Sequence, residues 1–163
     1  MSGDADVMTD IEMLKAVEEI RQVEARYARY ADEKRWADLA GLFTADGTFT
    51  SLDAGGKPLA VMSGRQQITD SLAAATAGTT PVHMLLTSEI EILSPEAAHG
   101  IWAMADLVFR NDDPPVHAGV TGNVPAFKTM RGWGHYHVDY VKLDGAWYFS
   151  KRVQTRTRLE FSN

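Results

Sequence analysis

The stretch that decides the fold lies near the C-terminus, where residues 133–159 read WGHYHVDYVKLDGAWYFSKRVQTRTRL. Apolar and polar side chains alternate on both sides of Asp144-Gly145, and a period of two is typical of half-buried strands. Asp-Gly between two such runs is a strong signal for a two-residue hairpin turn. The stretch therefore predicts two long antiparallel strands, Trp133 to Lys142 and Ala146 to Leu159.

The same alternation predicts two further long strands upstream, Val82 to Ile92 and Ala97 to Phe109. Before residue 82 the apolar period is close to 3.6. Thr9 and Asp10 are good N-cap residues for a first helix that ends near Asp32. The pattern then predicts, in chain order, a short helix at 36–43, a turn at Asp46-Gly47, a strand at 49–52, a glycine-rich turn at 53–58, a helix at 64–77 and a break at 78–81.

Helices followed by a long antiparallel meander predict an α+β fold, in which the N-terminal helices close one mouth of a curved sheet around a pocket. Gly100, Gly132 and Gly134 are candidate bend or bulge points. We expect a loose tail at residues 1–8 and a single domain at 9–163. The Pro- and Gly-rich segment from Arg110 to Arg131 is too long for an ordinary turn and predicts a lid or mobile segment.

Composition excludes several classes of function. The chain of 163 residues has 16 basic against 22 acidic side chains, a formal net charge of −6, and no cysteine. Disulfides, thiolate nucleophiles and Cys-ligated zinc are therefore excluded, and nucleic acid is not an expected partner. No apolar run approaches a membrane span and no signal peptide is recognisable, so we expect a cytoplasmic protein without membrane contact. The sequence has one basic cluster, formed by Lys151, Arg152, Arg156 and Arg158. It predicts a solvated face, with phosphate binding as the alternative.

Asp32 and His83 are the first candidates for chemistry. Asp32 ends the first helix among the aromatic residues Tyr27, Tyr30 and Trp36, and His83 opens the first long strand. Taken singly, each residue also has a purely structural interpretation. Asp32 would be a solvated residue at a helix end, and His83 would be a core histidine. Together in one apolar cavity they would form a small general acid–base device, because a carboxylate on one ring nitrogen fixes the tautomer and raises the basicity of the other.

Asp106 shares one face of its predicted strand with Trp102 and Met104, because side chains alternate along a strand. An unpaired carboxylate on an apolar face is costly, so Asp106 either works in catalysis or pairs with an arginine, with Arg156 as the candidate. His135 and His137 could bind a metal as an i, i+2 pair. We favour an outer-face position for both, with Tyr136 and Tyr140 pointing inward.

The pattern from Tyr27 to Asp32 and Trp36 resembles the opening of the SnoaL-like proteins of the nuclear transport factor 2-like superfamily. The resemblance continues through His83, through Gly100 to Asp106, and through Gly134 to Trp147. Within the superfamily the pattern is most similar to bile acid 7-alpha-dehydratase and, more distantly, to scytalone dehydratase. The further polar residues of the scytalone enzyme are not reproduced.

The resemblance implies a cone-shaped curved antiparallel sheet and a catalytic set of Tyr27, Asp32, His83, Asp106 and Arg156. It implies a cofactor-independent lyase, a dehydratase acting on a small hydrophobic cyclic carbonyl compound held by Tyr30, Trp36, Trp102, Met104 and Tyr136. An isomerase or cyclase, a binding or assembly module without turnover, and the small subunit of a ring-hydroxylating dioxygenase are the alternatives. We expect a homo-oligomer, a dimer or trimer, formed through the outer face of the sheet.

Overall fold

A computed structural model describes residues 8–111 and 127–162. The three helices are α1 (Asp10–Asp32), α2 (Trp36–Ala40) and α3 (Arg65–Ala75). The strands are β1 (Phe43–Leu52), β2 (Pro58–Ser63), β3 (Thr79–Ser94), β4 (Ala97–Arg110), β5 (Thr129–Leu143) and β6 (Ala146–Ser162).

All six strands form one curled, open sheet in the order β2-β1-β6-β5-β4-β3. The last four strands pair antiparallel with their chain neighbours, as the sequence predicts. β1 instead joins β6 in parallel, and β2 extends the sheet at that side. The predicted α+β class and curved sheet are confirmed.

The first helix begins and ends where the sequence indicates. Thr9 and Glu12 form a capping box at the N-terminus of α1, which satisfies two backbone donors that the first turn leaves free. The helix buries one stripe, which includes Ile20, Tyr27 and Ala31, and packs against β3. Its C-terminal end is thereby held beside the opening of β3.

Asp46-Gly47 lies inside β1 and does not end an element, so the turn prediction is wrong there. The register with β6 shifts between Phe43 and Thr48, and the Thr44 hydroxyl donates to Asp46 Oδ1 at 3.0 Å. The turn residues therefore form an irregularity within the strand. Phe43, predicted in the second helix, is a fully buried strand residue.

Two further differences from the prediction concern β2 and β3. β2 is not predicted at all, because only one of its six residues is buried and the strand is too short for a clear period. β3 begins at Thr79 and not at Val82, so Pro81 lies within a strand. β3 is an edge strand, where a residue without an N–H is tolerated.

Of the three candidate glycines, only Gly134 lies at a shift of register, between β5 and β6. Gly100 and Gly132 lie in regular register, so neither marks a bulge. Met8, predicted in a loose tail, packs against the core. Residues 1–7 and most of the predicted lid, residues 112–126, lie outside the described residues. Within the described part of the chain, no helix is both long and apolar enough to span a membrane.

Candidate active site

Asp32 and His83 are in direct contact. The Asp32 Oδ1 atom lies 2.8 Å from both the backbone nitrogen and the ring Nδ1 of His83. The contact forms because the C-terminal end of α1 packs against the opening of β3. The predicted pairing of these two side chains is therefore observed.

This contact fixes the tautomer of the imidazole. A carboxylate oxygen only accepts hydrogen bonds, so the Nδ1 atom of His83 carries a proton, and in the neutral imidazole the lone pair is on Nε2. The His83 side chain is 15% exposed and the Asp32 side chain 35%, and His83 lines an internal cavity. Nε2 is therefore the atom of this pair that can take a proton from a bound molecule.

Asp106 lies beside His83, because the two residues are directly opposite each other in the β3–β4 register. Side chains at opposite positions of an antiparallel pair share one face. Both oxygens of Asp106 accept from Arg156, at 2.6 Å from Nη1 and 2.7 Å from Nη2. Burial opposes the charged form of Arg156, but the hydrogen bonds and charge of Asp106 outweigh it and raise the pKa of the guanidinium.

The Asp106–Arg156 pair spans a whole strand, since Asp106 lies on β4, Arg156 on β6 and β5 runs between them. Gly132 is the β5 residue opposite Asp106. A Cβ atom at Gly132 would collide with both Asp106 Oδ1 and Arg156 Nη1. The close approach of these two side chains therefore requires glycine at this position.

Two tyrosines next to this pair stack on a buried cation. The guanidinium carbon of Arg152 lies 3.8 Å from the ring centroids of both Tyr27 and Tyr136. Burial raises the pKa of Tyr27, against the lowering effect of the Arg152 charge, and raises that of Tyr136 well above its ordinary value. Both hydroxyls therefore stay protonated at neutral pH and can act as hydrogen-bond donors.

The carboxylate of Glu24 balances the positive charge of Arg152. Glu24 Oε1 and Oε2 accept from Arg152 Nη1 at 2.8 and 3.0 Å, and neither side chain has any solvent exposure. The Tyr140 hydroxyl also donates to Glu24, at 2.6 Å, and accepts from the Trp102 indole at 2.8 Å. This polar network lies in the core behind the tyrosines.

A cavity of about 680 Å³ joins these groups. Its wall is mostly apolar and contains several polar side chains. Its lining comes from all three helices and from five strands: Tyr27, Ala31, Trp36, Leu39, Phe49, Ser71, Leu72, Ala74, Ala75, Thr76, Ala77, Pro81, His83, Asp106, Val108, Arg110, Phe127, Met130, Tyr136, Gln154 and Arg156. This volume is within the usual range for small-molecule sites.

The structure brings most of the predicted residues to this cavity, but not all. Tyr27, His83, Asp106, Arg156, Trp36 and Tyr136 line it, and Asp32 contacts His83. Three predicted substrate contacts are not in its wall. Tyr30 lies under the guanidinium groups of Arg29 and Arg35, Trp102 donates to Tyr140, and the Met104 sulfur contacts Arg156 at 3.7 Å.

His135 and His137 lie on the outer face, as predicted, with ring centroids 6.4 Å apart. Burial and the neighbouring His135 and His99 lower the pKa of His137. Within residues 8–111 and 127–162, no group of three or more His, Cys, Asp or Glu side chains is placed to hold a metal ion.

The predicted solvated basic cluster is wrong for two of its four members. Lys151 and Arg158 are exposed, but Arg152 and Arg156 are buried and paired with carboxylates. The sequence does contain a signal for this burial. Arg152, Gln154 and Arg156 share one face of β6, because side chains alternate along a strand. Gln154, not singled out by the sequence, donates to the Tyr136 hydroxyl at 3.2 Å.

Comparisons with known proteins agree with this architecture. Residues 12–153 match the family model of the SnoaL-like domain. A protein from Novosphingobium aromaticivorans DSM 12444 assigned as a scytalone dehydratase superposes with a TM-score of 0.78 at 18% identity, covering 95% of this chain and 93% of that one. The hexachlorocyclohexane dehydrochlorinase LinA-type3 from Novosphingobium barchaimii LL02 gives 0.71 at 17% identity, covering 94% of each chain.

A third structure, of a variant of a Mycobacterium tuberculosis protein of unknown function, gives a TM-score of 0.72 at 22% identity. The match covers 93% of this chain and 78% of that one. At these identities the likeness establishes the fold, which is nuclear transport factor 2-like as predicted. The particular likeness to bile acid 7-alpha-dehydratase stays a prediction.

Proposed function

Because the chain belongs to the SnoaL-like domain family, we propose that it is a cofactor-independent lyase, a dehydratase of small hydrophobic cyclic carbonyl compounds. The observation that carries this proposal is the 2.8 Å contact between Asp32 and His83 in the wall of an apolar cavity. The same fold carries many unrelated functions, so the argument rests on the chemistry of these side chains.

The first step is removal of a proton from the carbon next to the substrate carbonyl. His83 Nε2 takes this proton, because Nδ1 is already protonated and held by Asp32. The imidazolium that forms is stabilised by the negative charge of Asp32. Such positioned acid–base groups contribute about 10²- to 10⁴-fold to the rate.

Negative charge then develops on the carbonyl oxygen. The hydroxyls of Tyr27 and Tyr136 are two donors in the cavity wall, and their raised pKa values keep them protonated. The Arg152 guanidinium lies 3.8 Å from both ring centroids and opposes the rise in the pKa of each hydroxyl, which favours the two hydroxyls as donors. Donors fixed in advance at the site of developing charge are the largest contribution in many enzymes.

The second step breaks the carbon–oxygen bond at the β-carbon. The electron pair left at the α-carbon forms the new carbon–carbon double bond, and the hydroxyl leaves as water with the proton returned by His83. We assign proton return to His83 and not to Asp106, because both oxygens of Asp106 accept from Arg156. Asp106 and Arg156 then hold the polar part of the substrate.

The proposal is tested with 3-hydroxy-1-tetralone, a bicyclic β-hydroxy ketone whose loss of water yields fluorescent 1-naphthol. We expect the protein to release 1-naphthol, and we expect His83→Ala and Asp32→Asn to lower kcat/KM by about 10²- to 10⁴-fold. The matched control is His99→Ala. His99 makes the same 2.8 Å Nδ1–carboxylate contact with Asp139, but outside the cavity and more exposed.

Hydrogen exchange at the α-carbon in deuterated water separates the two steps. Exchange that depends on His83 without release of 1-naphthol would favour the isomerase or cyclase alternative, which shares the first step. Binding of the ketone with neither exchange nor release would favour the non-catalytic binding module. Equal activity of His83→Ala and the unaltered protein would contradict the acid–base mechanism.

A further inference from the structure

Arg110 occupies a part of the cavity wall away from the acid–base pair. Asp106, Val108 and Arg110 alternate along β4 and all line the cavity, as expected for residues on one face of a strand. Arg110 pairs with Thr79 and Asp106 pairs with His83 in the β3–β4 register. At about 3.3 Å per residue, the four-residue step places the two Cα atoms about 13 Å apart.

Within the described part of the chain, the guanidinium of Arg110 has no carboxylate partner, unlike the other arginines near the cavity. Arg156 is paired with Asp106 and Arg152 with Glu24. No Asp or Glu oxygen of residues 8–111 and 127–162 forms an ion pair with Arg110. Its Nε atom is buried without a hydrogen-bond partner, as are those of Arg152 and Arg156, so the missing carboxylate is what distinguishes Arg110. A buried donor on a charged group that lacks a partner is costly.

The position of Arg110 is nevertheless fixed. Its guanidinium carbon lies 4.7 Å from the ring centroid of Phe127, a buried residue that also lines the cavity. Arg110 and Thr79 are paired across the strands, and the Arg110 backbone nitrogen donates to the Lys128 carbonyl at 2.8 Å. The aromatic face of Phe127 attracts the positive charge of Arg110, and a charged residue placed in a mostly apolar wall can orient a ligand that carries one opposite charge.

We propose that Arg110 is a specificity-determining residue that binds a carboxylate on the substrate. The ligand would be an organic acid with an apolar ring body and its carboxylate roughly 10 Å or more from the carbonyl group, in keeping with the strand spacing above. The planar guanidinium favours a carboxylate because it can donate two parallel hydrogen bonds to it. This inference rests on the proposed function for the end of the ligand that faces His83.

The test uses a matched pair of rigid probes, 4′-acetylbiphenyl-4-carboxylic acid and its methyl ester. Each has a ketone at one end, and only the acid has a negative charge at the other. Binding of each probe at pH 7 is measured by isothermal titration calorimetry. We expect the acid to bind about 10- to 100-fold more tightly than the ester, from hydrogen bonds to a charged group.

Two substitutions assign the preference to Arg110. Arg110→Gln removes the charge and is expected to abolish the preference for the acid while leaving ester binding within about twofold, because the ester makes no charged contact there. Arg110→Lys retains the charge and is expected to keep part of the preference. The control is Arg131→Gln, which removes one positive charge from an exposed residue outside the cavity wall and should leave the preference unchanged.

Equal binding of the two probes to the unaltered protein, or binding of neither up to millimolar concentration, would overturn the proposal whether or not Arg110→Gln folds. A preference that survives in folded Arg110→Gln would also overturn it. If Arg110 recognises the acid, the His83→Ala variant should still bind the acid more tightly than the ester. This holds even when the ketone shows no hydrogen exchange in that variant. Loss of exchange alone therefore counts against the proposed dehydratase and not against the carboxylate site.

Discussion

Glu24 and Arg152 form an ion pair with no solvent exposure at either side chain, and its cation lies 3.8 Å from the ring centroids of both Tyr27 and Tyr136. The pair joins α1 to β6 through the core. It lies against the rings of the two tyrosines whose hydroxyls are proposed to donate to the carbonyl oxygen. The core of this protein therefore contacts the candidate site through a buried ion pair as well as through apolar packing.

Breaking this pair is expected to destabilise the fold strongly. Glu24→Gln leaves the Arg152 guanidinium buried without its counter-ion, and such changes cost about 3–5 kcal/mol. Urea unfolding measures the loss of free energy of unfolding. The matched control is Glu19→Gln, which removes a partner of Lys142 at a partly exposed pair and should cost about 1 kcal/mol or less. Similar losses in both variants would contradict the prediction.

Gly132 is expected to tolerate no side chain. The Cβ atom in Gly132→Ala would collide with the Asp106–Arg156 pair, and overpacking of this kind costs about 1–3 kcal/mol. We expect lower stability and lower 1-naphthol release. Introducing Gly132→Ala into an Arg156→Ala background should cost less, because one of the two colliding groups is then absent. A cost independent of the background would show that the collision is not with this pair.

The hydroxyl of Tyr27 is expected to act mainly on the chemical step. Tyr27→Phe keeps the ring on Arg152 and removes one donor, so kcat should fall by about 10²- to 10³-fold with little change in KM. Steady-state kinetics on 3-hydroxy-1-tetralone measures both parameters. Tyr148→Phe, at a tyrosine outside the cavity wall, serves as the control. A rise in KM alone would assign Tyr27 to binding and not to charge stabilisation.

Alkaline pH is expected to destabilise the protein through its buried tyrosines. Burial raises the pKa values of Tyr27, Tyr136 and Tyr140 above the ordinary value of 10.0. Below pH 10 both the folded and the unfolded states keep these protons, so this stabilisation is fully present. As the pH rises above 10 the unfolded state loses them first, and the free energy of unfolding falls.

Urea unfolding between about pH 9 and 11 measures this dependence, since the range brackets the ordinary tyrosine pKa. Each affected tyrosine contributes up to about 1.4 kcal/mol per pH unit to the slope. Tyr140→Phe should therefore have a shallower slope than the unaltered protein above pH 10. An identical slope would contradict the raised pKa of Tyr140.

Local sequence determined the main elements. Thr9, Glu12 and the apolar period define α1, and alternation with the Asp144-Gly145 turn defines the last hairpin. Both signals act over a few residues, so they are readable without tertiary contacts. The turn prediction at Asp46-Gly47 is wrong because its signal is equally local. Such a signal does not distinguish the end of a strand from an irregularity within it. The homo-oligomer, the cytoplasmic location and the absence of a cofactor stay predictions.

Only the tertiary structure decided which charged side chains are buried and which partners they have. Asp32 and His83 are 51 residues apart, and Glu24 and Arg152 are 128 residues apart. Their meeting depends on where α1 lies across the sheet. The sequence by itself predicts which face a side chain occupies, because the strand period is local. It does not tell a solvated arginine from one whose partner is brought to it by another element, since burial is a property of the assembled layers.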